Sequence, residues 1–157
     1  MKFGPVPVGE AEGAILAHAA KLPAGRLAKG HVVSSADIAA LEAAGFCEVI
    51  VARPEPGDLL EDEAASRIAA AIDRDHLTFS QAATGRINIH SAVDGLFVAS
   101  RSVIDRLNRI DPAITLACLA DHVPVRSGDM VATIKIIPLA VAERFADEAA
   151  ALLLAVF

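Results

Sequence analysis

Tryptophan and tyrosine are missing from this chain, and six phenylalanines are its entire aromatic content. That scarcity removes the stacking platforms on which single-stranded nucleic acids are held. Positive charge is also short: 14 Lys and Arg stand against 20 Asp and Glu, a formal net charge of −6. Both shortages argue against a nucleic-acid partner. The two cysteines, Cys47 and Cys118, are far apart and sit in apolar runs. They read as buried, reduced thiols, and no CxxC or Cys/His cluster points to zinc. No apolar run approaches the roughly twenty residues that span a bilayer, so no membrane partner is expected. The N-terminus "MKFGPVPVGEAEG" lacks the apolar core of a secretory signal, so a cytoplasmic location is expected.

What is present suits a folded protein. The 157 residues are 54% apolar and 22% charged, enough for a core and too little charge for disorder. The opening "FGPVPVGEAEG" reads as an extended lead-in, and "AILAHAAKL" as a strand. "HVV" is a short strand, after which Ser34 or Ser35 caps a helix that Gly45 ends. Ser34 and Asp37 have the spacing of a capping box. "CEVIVARP" is a strand, and "LLEDEAASRIAAAIDRD" is a helix with acids in its first turn and arginines later. "HLTFSQA", "RINIHSA", "GLFVAS", "AITLACL" and "MVATIKIIPLAV" read as strands, with helices over "RSVIDRLNRI" and the C-terminal "AERFADEAAALLLAVF". The expected fold class is α+β, or mixed α/β: a single compact domain of short strands with three to four helices. Residues 140–157 are expected to form a C-terminal helix or a linker. The apolar ending "ALLLAVF" suggests the N-terminal part of a longer multidomain protein, or a homodimer contact.

Chemical motifs are mostly excluded. Gly25 and Gly30 have the separation of a phosphate-binding loop, but His31 and Val32 stand where Lys and Ser/Thr are needed. The five histidines form no H-x-x-x-H pair for zinc. Glu61, Asp62 and Glu63 read as a dipole-favoured helix start. Nucleophile motifs are absent, so no catalytic residue is assigned. "VPVRSGDMVATIKIIP" has the rhythm of lipoyl carriers, yet Lys135 falls mid-strand rather than at a hairpin tip. The polar stretch "TGRINIHSAVDGLF" is the most informative. Thr84, Arg86, Asn88 and His90 alternate with apolar residues, so one strand face can present four polar groups. There Arg86 can grip a phosphate and Asn88 an amide or ring edge. His18 and Lys29 complete the candidate ligand-binding set, and no metal ligand is assigned.

The segment "GRLAKGHVVSSADIAALEAAGFCEVIVARPEPGD" resembles one found ahead of the molybdopterin-binding domain in molybdopterin molybdenumtransferases. The matching positions are Leu27, Gly30, Val33, Asp37, Ile38, Leu41, Gly45, Val49 and Val51, chiefly turn and packing residues. More widely, residues 1–41 with "GDLLEDEAA", "GRINIHSAVDGLF" and "AITLACL…VPVRSGDMVATIKIIP" are similar to the N-terminal region of bacterial molybdopterin-binding proteins. In that family a molybdopterin-binding domain follows, often with a molybdenum cofactor cytidylyltransferase-like domain. The resemblance implies an accessory or binding role in molybdenum cofactor biosynthesis, at metal insertion or cytidylylation. Molybdopterin or a nucleotide would be bound through the full-length protein, itself a molybdenum cofactor transferase, and this chain needs no cofactor of its own. The alternative is a structural module for dimerisation or domain docking.

Overall fold

A computed structural model describes residues 1–153 and shows an α+β fold of short strands with four helices among those residues. The chain divides into two compact units, Met1–Pro56 and Gly57–Phe157. None of the described helices is long and apolar enough to cross a membrane. The terminal part of "ALLLAVF", residues 154–157, lies outside the described residues.

The first unit contains β1 (Lys2–Pro7), a 3-10 turn (Val8–Glu10), β2 (Ile15–Leu16), β3 (Ala20–Leu22), β4 (Gly25–Leu27), α1 (Ser35–Ala43) and β5 (Glu48–Arg53). The lead-in is thus a strand. β1 runs antiparallel to β5 from Lys2↔Arg53 to Pro7↔Glu48, and β2 pairs with the other side of β5. Pro5 and Pro7 are tolerated because β1 is an edge strand, where a missing N–H breaks no second ladder. Val8, Leu16, Val33, Leu41, Val49 and Val51 form the core. The expected strand at "HVV" shrinks to one bridge, Ile15↔Val32, since the chain turns at once into the cap of α1.

That cap is the predicted capping box. Asp37 N–H donates to Ser34 Oγ at 3.3 Å, and Ser34 N–H to Asp37 Oδ2 at 2.8 Å. At the other end Gly45 takes φ +84°. Its N–H reaches Glu42 O, and that of Phe46 reaches Leu41 O, the paired bonds of a Schellman stop. Cys47 is exposed rather than buried: β5 starts at Glu48, so Cys47 precedes the alternation that sends Val49 and Val51 inward.

The second unit holds β6 (Asp58–Leu60), α2 (Glu61–Ala69), β7 (Leu77–Phe79), β8 (Arg86–Ser91), β9 (Gly95–Phe97) and α3 (Arg101–Leu107). Then come β10 (Ile114–Cys118), β11 (Val123–Val125), β12 (Met130–Ile136), β13 (Ala140–Ala142) and α4 (Glu143–Leu152). An antiparallel sheet in the order β10-β12-β8-β7 carries α2 on one face, with α4 against α2. Ile87, Ile89, Ile114, Leu116, Ile134 and Ile136 point into this core, each burial stabilising by about 1.5–3 kcal/mol.

Two expected boundaries move. Leu59 and Leu60 leave the predicted helix to pair with β13, and α2 ends at Ala69, short of residue 75. The long C-terminal strand breaks into β12 and β13, because Pro138 lacks the N–H that a continuing ladder needs. Arg67 ties α2 to α4 through Glu143 (2.6 Å) and Asp147 (3.0 Å). Hydrogen bonding to those two carboxylates raises its guanidinium pKa further.

Candidate functional site

The polar strand is β8, and its alternation is as the sequence predicts. Arg86 is exposed and Asn88 and His90 are half-buried, while Ile87, Ile89 and Ser91 face the core. Thr84 does not belong to that face. It occupies the first central position of a two-residue turn closed by Ala83 N–H to Arg86 O (3.0 Å) and Arg86 N–H to Ala83 O (3.1 Å). Both central residues have positive φ, Thr84 +51° and Gly85 +71°, as a type I′ hairpin turn requires. A Cβ on Gly85 would come within 2.7 Å of the Ile136 carbonyl oxygen, so the turn sits hard against the end of β12. The Gly85 N–H is bonded by Asp62 Oδ1 at 2.6 Å. Asp62 therefore anchors this hairpin, while Glu61 beside it keeps one buried oxygen without a hydrogen-bond partner.

The register of β8 against β12 brings further polar groups alongside. Lys135 stands opposite Arg86, and Thr133 opposite Asn88; Thr115 lies opposite Lys135 on β10. Thr133 Oγ1 donates to Asn88 Oδ1 at 3.0 Å, which sets the Asn88 amide. Ser80 Oγ accepts from Asn88 N–H at 3.0 Å. Lys135 Nζ donates to the Thr84 carbonyl, so the turn residue contributes its backbone rather than its side chain. No Asp or Glu occupies the outward positions of these strands. Among the described residues neither Arg86 nor Lys135 has an ion pair. Directly opposed like charges cost a sheet a few tenths of a kcal/mol to about 1 kcal/mol, so this arrangement is suited to receiving an anion between them.

His18 and Lys29 belong to the first unit, where both are exposed. Neither side chain makes a hydrogen bond or ion pair among the described residues. Gly30 takes φ +83° in a turn whose N–H donates to Leu16 O at 2.8 Å, a structural use of the glycine. His31 Nε2 lies 2.8 Å from Asp37 Oδ2, and Ser34 Oγ donates to the same oxygen at 2.6 Å. No hydrogen bond joins Ser34 to His31 among the described residues, so this is not the relay a nucleophilic serine needs. The Ser34 hydroxyl, then His31, then the Ser34 N–H hold the Asp37 carboxyl down at about 2. Cys118 is half-buried, and burial, reinforced by the charge of Asp121, pushes its thiol pKa up, away from reactivity. Among the described residues no group of three or more His, Cys, Asp or Glu is placed to hold a metal ion.

The sequence placed Arg86, Asn88 and His90 on one face through their period of two, and β8 carries them so. It did not place Lys135, Thr133 and Thr115 beside them, because their own alternation in β10 and β12 was readable but their neighbours were not. The model of a family described as a domain of unknown function (DUF8806) matches residues 5–53, a stretch inside the first unit. No curated protein and no solved structure matches the chain.

Proposed function

We propose that this chain is a ligand-binding accessory module, and that the open sheet face around Arg86 and Lys135 takes the phosphate group of a small molecule. The observation that carries this reading is the pair of cations set opposite each other on β8 and β12 with no carboxylate on their face. Arg86 supplies a planar fork for bidentate contact with phosphate oxygens, and Lys135 a point charge beside it. The Asn88 amide, fixed by Thr133, and the His90 ring extend the same face toward the remainder of the ligand. The role we assign to this face is binding and presentation of the ligand. The resemblance to molybdopterin-binding proteins makes molybdopterin, whose side chain ends in a phosphate, the ligand to try first, with a cytidine nucleotide second. The cytoplasm suits this assignment, because the exposed Cys47 thiol persists in a reducing compartment.

Calorimetry tests the reading. Molybdopterin or cytidine triphosphate is expected to bind the chain, and its dephosphorylated counterpart to bind poorly. Arg86→Ala should weaken binding by about tenfold or more, the worth of a charge-assisted hydrogen bond, and Lys135→Ala should make it less salt-dependent. Absence of heat with every phosphate-bearing ligand would overturn the proposal.

A further inference from the structure

A second feature of the Gly57–Phe157 unit centres on β9 rather than on the Arg86 face. A groove of about 500 Å³ runs beside β9, between the turn after α2 and the loop joining β8 to β9. Val93, Leu96 and Val98 line it and are 39%, 57% and 48% exposed. Asp73, Asp75 and Asp94 are its charged side chains, accompanied by His76, and no Lys or Arg lines it. An apolar wall with an acidic rim complements a segment that is apolar and basic.

The backbone adds an independent indication. β9 pairs with β11 in the register Gly95↔Val125, Leu96↔Pro124, Phe97↔Val123. Pro124 has no N–H to give. The paired bonds must therefore run through the flanking residues, and the N–H and C=O of Leu96 face away from β11. Among the described residues no hydrogen bond reaches either group. Leu96 is thus on an open strand edge, and Val98, just past the end of β9, is exposed as well. Open apolar edges invite another strand. The contrast with β10 is instructive, because there the Asn108 side chain occupies the edge by bonding both Leu116 N–H and C=O.

We propose that this groove is a docking site for an extended, basic and apolar peptide segment of a partner protein, added as a third strand to β11-β9 along Leu96. Backbone bonds to Leu96 supply the affinity common to strand addition, and side-chain pockets the selectivity. Val93 and Val98 contact alternate apolar residues of the peptide, while Asp73, Asp75 and Asp94 face its lysines or arginines. The partner is a different protein rather than a second copy, since a chain of net charge −6 is repelled from an acidic groove of its own kind.

The test uses the whole chain and a fluorescent heptapeptide, KVRLKVR, with EVELEVE as its acidic counterpart. Anisotropy should show saturable, salt-sensitive binding of the basic peptide and binding at least about tenfold weaker for the acidic one. N-methylation at alternate peptide residues should abolish binding in one phase and spare it in the other, because only one edge of the added strand pairs. Nuclear magnetic resonance should show the Leu96 amide becoming protected from exchange, an observation that needs no protein variant. Asp73→Asn with Asp75→Asn should weaken binding without altering the circular dichroism spectrum. Equal affinity for both peptides, indifference to either methylation phase, protection confined to other strands, or self-association through this edge in light scattering would each overturn the proposal.

Discussion

At Asp37 two side chains and a backbone N–H converge on one carboxylate oxygen: Ser34 Oγ at 2.6 Å, Ser34 N–H at 2.8 Å and His31 Nε2 at 2.8 Å. The charged form is the one they favour, so the carboxyl titrates near 2 in the folded chain against an ordinary value of 3.8. A depressed carboxyl contributes stability that is fully present above its unfolded value and vanishes as pH falls through the folded one. The first unit should therefore lose the start of α1 between about pH 4 and pH 2, seen as loss of amide protection at Ser34, Asp37 and Ile38 by hydrogen exchange. In Asp37→Ala that acid limb should flatten, and a protection profile unchanged by the substitution would contradict the assignment. The capping box was legible because its partners are three residues apart. The contribution of His31 was not, because its ring reaches Asp37 only after the Gly30 turn has aimed it.

An element of the second unit shows the same limit at longer range. β10 would be an unprotected edge but for Asn108, which donates to Leu116 O at 2.9 Å and accepts from Leu116 N–H at 2.8 Å. The amide stands in for one residue of a neighbouring strand. Replacing it, as in Asn108→Leu, leaves two backbone groups of a fully buried residue unpaired and should cost about 1–3 kcal/mol. Urea unfolding should show the midpoint falling, and the Leu116 amide should exchange faster than those of Ile114 or Ile134. A stability unchanged within error would mean water replaces the amide without penalty. Nothing in "RLNRIDPAITL" marks Asn108 as an edge plug, since an asparagine near a helix end reads as a cap or turn residue. The elements themselves were easier. β5, β8 and β10 fall where alternation puts them, whereas β6 and β11 are three residues long and held by pairing rather than propensity.

For the whole molecule the two units differ in how much core each commands. The first closes its own set of nine buried residues, whereas the second gathers a larger cluster around α2, β8 and β12. A 56-residue unit is near the size where one core is marginal. Residues 57–157 expressed alone should thus unfold cooperatively and keep the Arg86-dependent binding proposed above. Residues 1–56 alone should be far less stable, with weak dispersion in a nitrogen–proton correlation spectrum. A first unit as stable alone as the second would refute that ranking.

The sequence by itself determined what local chemistry decides: the cap and stop of α1, the inward and outward faces of β8 from Arg86 onward, and the α+β class. These depend on neighbours within a few residues and on the fixed periods of helix and strand. Only tertiary structure decided that Lys135 faces Arg86, that Asn108 closes the edge of β10, and that Pro124 leaves the edge of β9 open. Those are matters of register between segments distant in the chain, chosen by how the isoleucine and leucine faces share one core, and no local pattern encodes that choice.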